Sequence, residues 1–195
     1  RQYEEAAHHV QRALQLNPND TDVLVHAGLC QAYLGDHEAA LAMIEGQWRN
    51  YRREFLSQIQ QVRIDHRQVY LRAILANANA IHLNSPLLAK ARALIRSLRR
   101  EHVLWASGLA DAFEASCHQL QRNPRQAAVL LTSGKESLRR AGMKHFAAAA
   151  QWHLCQSDED TTELAESSLR GLGIKRPDRF AMMLIPGFNG EPLRD

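Results

Sequence analysis

The sequence predicts an all-α protein, built as a right-handed solenoid of antiparallel helix pairs that is closed by a C-terminal cap. Three observations support this fold class. Alanine, leucine, arginine and glutamine, which favour helices, dominate the sequence, and no stretch has the alternating pattern of a half-buried strand. Part of the chain repeats itself at a fixed interval. Proline and glycine stand where one helical pattern ends and the next begins.

The repeat lies near the start of the chain. Tyr3–Pro18 has the helical spacing of small and apolar residues, and 34 residues after Ala6 the same position is held by Ala40. Small residues at such positions let two antiparallel helices cross closely, and Gly35 suits the tight turn between them. This period and these residues resemble the tetratricopeptide repeat. Tyr3–Pro18 resembles the second helix of one repeat, and Thr21–Gln47 resembles a complete one.

The resemblance to tetratricopeptide repeats implies a superhelix of helix pairs, but some positions depart from the family pattern. Leu24, Gln31 and Gln47 stand where the family usually has tryptophan, tyrosine and alanine. A chance match between two ordinary amphipathic helices is the alternative interpretation. Because the chain begins inside the second helix of a repeat, which cannot bury its apolar face alone, we expect it to belong to a longer polypeptide.

The rest of the chain is predicted to be helical throughout. We expect one long tract from Trp48 to Ala80 with a bend near Ile64–Asp65, and further helices over 87–100, 102–120, 124–141, 144–156, 161–172 and 177–184. Ser85 before Pro86 is typical of a helix start, because a side chain caps the first turn and proline fits its first position. We divide the chain into tetratricopeptide repeats at 1–50, divergent helix pairs at 51–173, and a cap with a tail at 174–195.

Composition narrows the classes of function. The chain has 195 residues, 45% of them hydrophobic, and a formal net charge of +3, which is too small to point to a nucleic-acid partner by itself. No window approaches the roughly 20 apolar residues that span a bilayer. The three cysteines lie far apart and form no metal-binding pair, which favours reduced thiols and a cytoplasmic location. We predict no metal and no cofactor.

The C-terminal block from His102 to Phe188 shows a second resemblance. Its most specific piece runs from Leu172 to Phe188 and contains Gly173-Ile174 and Pro186-Gly187-Phe188. This block resembles the C-terminal end of large bacterial signalling proteins that join a serine/threonine kinase or cyclase module to a STAND-type ATPase and a tetratricopeptide-like solenoid. The resemblance implies a sensor or scaffold segment. The sequence holds neither a phosphate-binding loop nor kinase motifs, so we expect no catalysis by this segment itself.

These observations predict a non-catalytic interaction module, the regulatory part of a larger signalling protein that is a kinase, an ATPase or both. Its partner would be a protein or peptide, other domains of the same polypeptide, or a second copy of the chain. The predicted interaction groove combines polar residues near the repeat boundary with arginines on two helices: Asn17, Asp20, Asp22, Gln31, Arg49, Arg52, Arg53, Arg96 and Arg99.

The arginine-rich helices leave two other interpretations open. A nucleic-acid-binding or transcription-regulatory repeat would use the same positive charge and show a strong salt dependence. A solvated face without a ligand is the simplest interpretation. The apolar C-terminal residues Phe180, Met183, Leu184 and Phe188 are predicted to cap the last repeat, because an end repeat would otherwise expose its apolar face; docking on another chain is the alternative.

Overall fold

A computed structural model describes residues 8–9, 12–13, 35–51, 55–77, 85–156 and 159–188. Within these ranges every regular element is a helix, which confirms the all-α prediction. We number the longer helices α1 (His37–Tyr51), α2 (Gln60–Ala76), α3 (Pro86–Arg99), α4 (Leu104–Leu120), α5 (Pro124–Arg140), α6 (Lys144–Cys155), α7 (Glu159–Gly171) and α8 (Pro177–Leu184). The chain divides into two compact units, one up to Asn77 and one from Ala78 onward.

In the first unit α1 packs against α2. Gly35 has φ +95°, as the predicted turn requires, and the Asp36 carboxylate accepts the Ala39 N–H at 3.1 Å, which caps the first turn of α1. Between the two helices, the Tyr70 hydroxyl donates to the Glu45 carboxylate at 2.8 Å. The small Ala40 is fully buried, consistent with a position that has no room for a larger side chain.

The predicted bend near Ile64–Asp65 is wrong. Helix α2 passes through both residues, and the break comes earlier, at a 3-10 turn over Phe55–Gln58. Backbone carbonyls at the end of this turn find a partner in the Arg63 guanidinium, which donates to the oxygens of Ser57 at 3.2 Å and Gln58 at 3.0 Å. The apolar spacing continues across the break, so periodicity alone does not locate it.

The second unit is a succession of helices in which each of α3 to α7 packs on the next, while α8 returns to pack on α6 and α7. The predicted starts of α3 and α5 are confirmed. Ser85 accepts the Leu88 N–H at 3.2 Å, Asn123 accepts the Gln126 N–H at 3.4 Å, and proline follows each cap. Helix boundaries in this unit agree with the sequence prediction to within about two residues.

Helices α4 and α5 approach each other closely through two glycines, Gly108 and Gly134. A Cβ atom added at Gly134 would lie 2.9 Å from the Gly108 carbonyl oxygen and 3.0 Å from the Ala112 nitrogen. Both distances are shorter than ordinary van der Waals contact. The absence of a side chain at Gly134 is therefore what lets the two backbones meet, and around this contact lie the fully buried Phe113 and Leu138.

Short turns with a left-handed residue connect these helices. After α5, the Met143 N–H donates to the Leu138 carbonyl and the Gly142 N–H to that of Arg139, the paired bonds of a Schellman cap. The same bond pattern ends α4, but there Arg122 occupies the left-handed position, with φ +57°. Glycine takes this conformation without steric cost, so arginine makes this turn less stable than its counterpart.

None of the helices in the described ranges is long and apolar enough to cross a membrane.

Candidate interaction surface

Most of the predicted groove falls where the structure gives no description. Arg49 lies on α1, but its side chain is not among those described. Arg96 and Arg99 on α3 are described completely. The other six predicted groove residues lie outside the described ranges: Asn17, Asp20, Asp22, Gln31, Arg52 and Arg53. The groove as a whole therefore stays a prediction, and its completely described residues lie on α3.

Arg99 is engaged with the adjacent helix. Its guanidinium nitrogen Nη2 lies 2.6 Å from the Asp111 carboxylate and 2.8 Å from that of Glu114, one turn further along α4. The second oxygen of Asp111 accepts a hydrogen bond of 2.9 Å from the Ser133 hydroxyl of α5. Arg99 thus joins a polar network that ties three helices together, and part of its positive charge is balanced by two carboxylates.

Two other arginines have a different environment: Arg96 within α3, and Arg100, which is the C-cap residue of that helix. Arg96 and Arg100 are exposed, and within the described ranges neither side chain makes a hydrogen bond or an ion pair. They lie four residues apart, on the side of α3 that also exposes Ala89 and Ala93. We name these four residues the α3 face. Its two guanidinium groups are available to a carboxylate or phosphate ligand, unlike Arg99.

Helix α7 presents the opposite charge. Asp160 and Glu163 are exposed, and neither side chain has a hydrogen-bond or ion-pair partner in the described part of the chain. Leu164 follows Glu163 directly and lies about one turn after Asp160, on the same side of α7. It is 70% exposed, the largest exposure of any bulky apolar side chain described. We name Asp160, Glu163 and Leu164 the α7 face. A further acid, Glu166, is paired with Arg170 at 2.8 Å and so contributes less charge.

The residues predicted to form a cap lie against their own chain. Phe180, Leu184 and Phe188 are buried, while Met183 is half-buried. The ring of Phe188 stacks on His153 of α6 at a centroid distance of 4.4 Å. Just before it, Gly187 approaches α4 so closely that a Cβ atom there would lie 3.1 Å from that of Ser116. The segment after α8 therefore covers apolar surface on both α4 and α6.

His153 stands out among the residues under this segment. Its Nε2 atom lies 3.3 Å from the Ala181 carbonyl oxygen, which requires Nε2 to hold the proton. Burial lowers the pKa of His153 from its ordinary 6.5 to about 4, although backbone carbonyls of Ala181 and Ile185 act in the opposite direction. The imidazole is therefore neutral near pH 7. The sequence pattern did not assign His153 to the core, although the neighbouring Trp152 in an alanine-rich helix was an available sign of burial.

The two cysteines in the described ranges have different environments. Burial raises the pKa of Cys117 to about 12, which keeps it protonated. The Cys155 sulfur, half-buried, accepts a contact of 2.8 Å from the Gln151 amide. Across the described ranges, no three histidine, cysteine, aspartate or glutamate side chains come together as a metal site would need.

The described geometry offers charged helix faces for recognition. Asp111 and Glu114, the two acids that share a face of α4, are bound to Arg99 and not arranged as an acid/base pair. Comparison with protein-family models, with curated proteins and with solved structures finds no match for this chain.

Proposed function

We propose that this chain is a non-catalytic helical-repeat module that binds an acidic protein or peptide segment through the α3 face. The observation that supports it most directly is the pair Arg96 and Arg100, two exposed guanidinium groups on one side of a helix without a partner in the described ranges. Guanidinium groups bind carboxylates with two parallel hydrogen bonds, which favours defined recognition over diffuse attraction. The exposed Ala89 and Ala93 leave the backbone of the partner room to approach.

The arrangement proposed for the chain is a right-handed solenoid. Packing in the second unit runs from each helix to the next along the chain, as in repeat proteins, whose stability comes from contacts between neighbouring units. The return of α8 to α6 ends this succession. A solenoid suits an interaction module because it exposes long helix faces while its core stays covered.

A binding experiment can test the proposed recognition. A fluorescently labelled peptide rich in glutamate and aspartate is titrated with the chain at low and moderate salt, and its anisotropy is recorded. We expect Arg96→Glu to weaken binding by at least about tenfold, because one attraction becomes a repulsion. Arg179→Glu is the matched control, since Arg179 is an exposed arginine on α8, a helix that packs on α6 and α7, and should leave binding unchanged.

The same titration distinguishes the second candidate function. A single-stranded oligonucleotide replaces the peptide, and its affinity is followed against salt concentration. Oligonucleotide binding that requires Arg96 and falls steeply with salt, without peptide binding, would favour the nucleic-acid interpretation. Binding of either probe that is unaffected by Arg96→Glu would contradict a role for the α3 face.

We further propose that the chain is the regulatory C-terminal part of a larger cytoplasmic bacterial signalling protein with kinase or ATPase activity. The sequence between Leu172 and Phe188 is the basis for this proposal. Deleting residues 1–120 from such a protein should change its regulation or its recovered partners and leave phosphoryl-transfer chemistry in place. An unchanged response to deletion would count against a regulatory role.

A further inference from the structure

We propose that the acidic segment bound by the α3 face is the α7 face of a second copy of this chain. This inference rests on the proposed function and identifies the partner. The two faces are complementary in charge, since the unpaired groups are Arg96 and Arg100 on α3 and Asp160 and Glu163 on α7. They are also complementary in shape, since one has exposed small side chains where the other has a protruding leucine.

The apolar part of the contact fixes how the helices meet. Leu164, which is 70% exposed, fits over Ala89 and Ala93, because their small side chains leave space for it on the surface of α3. With Leu164 above Ala93, Arg96 lies about 4.5 Å further along α3, and Asp160 lies about 6 Å from Leu164 along α7. These charges meet only when the N-terminal end of α7 points toward the C-terminal end of α3. The helices are therefore antiparallel across the interface.

Both faces lie on the same unit, so each copy carries both halves of the contact. A two-fold dimer makes the contact twice, because α3 of each copy binds α7 of the other, and its assembly closes. Each copy then balances two arginines and two acids that have no partner within the described part of one chain. Attraction between opposite charges across an interface is screened by salt, so the dimer should weaken as salt is raised.

The charges of the α3 face and the α7 face also have an explanation within a single chain, and the test must distinguish it from dimer formation. Arginines near the end of α3 and acids near the start of α7 each complement the dipole of their own helix. If this were their only role, reversing them would lower thermal stability and leave molecular mass unchanged. The decisive measurement is therefore mass in solution, with folding checked for every variant by circular dichroism.

The experiment uses two charge-reversed variants of the complete chain in sedimentation velocity at micromolar concentrations. One variant combines Arg96→Glu with Arg100→Glu, and the other combines Asp160→Lys with Glu163→Lys. The original chain should form a salt-sensitive dimer, whereas each variant alone should dissociate at least about tenfold more readily, because like charges then face each other. An equimolar mixture of the two should recover a dimer, since every contact in it again joins opposite charges.

Each outcome has a definite meaning. A monomeric original chain, or variants that associate as the original does, overturns the inference. Two folded, monomeric variants whose mixture stays monomeric also overturn it. If the acidic peptide binds in an Arg96-dependent manner to a chain that remains monomeric, the partner assignment is wrong and the proposed function stands. Recovery of the dimer only in the mixture establishes the pairing of the two faces, because loss of folding cannot be repaired by mixing.

Discussion

The contact between α4 and α5 leads to a quantitative prediction for Gly134→Ala. The added Cβ would lie 2.9 Å and 3.0 Å from backbone atoms of α4, so the helices must move apart, at an overpacking cost of about 1–3 kcal/mol. The better helix propensity of alanine offsets about 1 kcal/mol of this cost. The free energy of unfolding should therefore fall by up to about 2 kcal/mol, in spite of a substitution that favours helix.

Gly171→Ala is the matched control for this prediction. Gly171 ends α7 in the same unit, and a Cβ atom there meets nothing within 4 Å. That variant should gain up to about 1 kcal/mol, because only the propensity changes. Urea unfolding followed by circular dichroism measures both variants, and an unchanged slope shows that the unfolding transition is comparable. If Gly134→Ala proved as stable as Gly171→Ala, the close approach of α4 and α5 would be refuted.

Three further predictions concern single residues. Replacing Arg122 by glycine should raise the free energy of unfolding by up to about 1 kcal/mol in urea melts, because it removes the strain of φ +57°; Gly142→Ala, at the equivalent position, should lower it. His153 is neutral when buried but takes up a proton when the chain unfolds below pH 6.5. Its contribution to the free energy of unfolding should therefore be fully present above pH 6.5 and be lost as the pH drops from 6.5 to about 4, by on the order of 3 kcal/mol. Melts across this range should flatten in His153→Gln, and an equally steep profile would contradict the assignment. Asp111→Asn should cost less than about 1 kcal/mol by the same measurement, since its ion pair with Arg99 is partly exposed.

The sequence by itself determined which residues form helices in the second unit. Ser85-Pro86 and Asn123-Pro124 start helices through local bonds between a side chain and nearby backbone N–H groups, and Gly142 ends one through its own conformational freedom. Such signals act within a few residues, so they can be read without knowing the fold. The apolar side chains of Phe180 and Phe188 likewise led to the prediction that their segment caps the last repeat.

Tertiary structure decided which side chains meet. The sequence placed Arg96 and Arg99 together as equivalent members of a basic face, but only the position of α4 makes Arg99 the partner of two carboxylates while Arg96 stays exposed. Periodicity reports the direction of a side chain relative to its own helix and contains no information about what another helix brings to it. Contacts between residues distant along the chain, such as Phe188 on His153, depend on how the helices pack. The same packing decides that Arg99 is held in ion pairs while Arg96 stays available to a ligand.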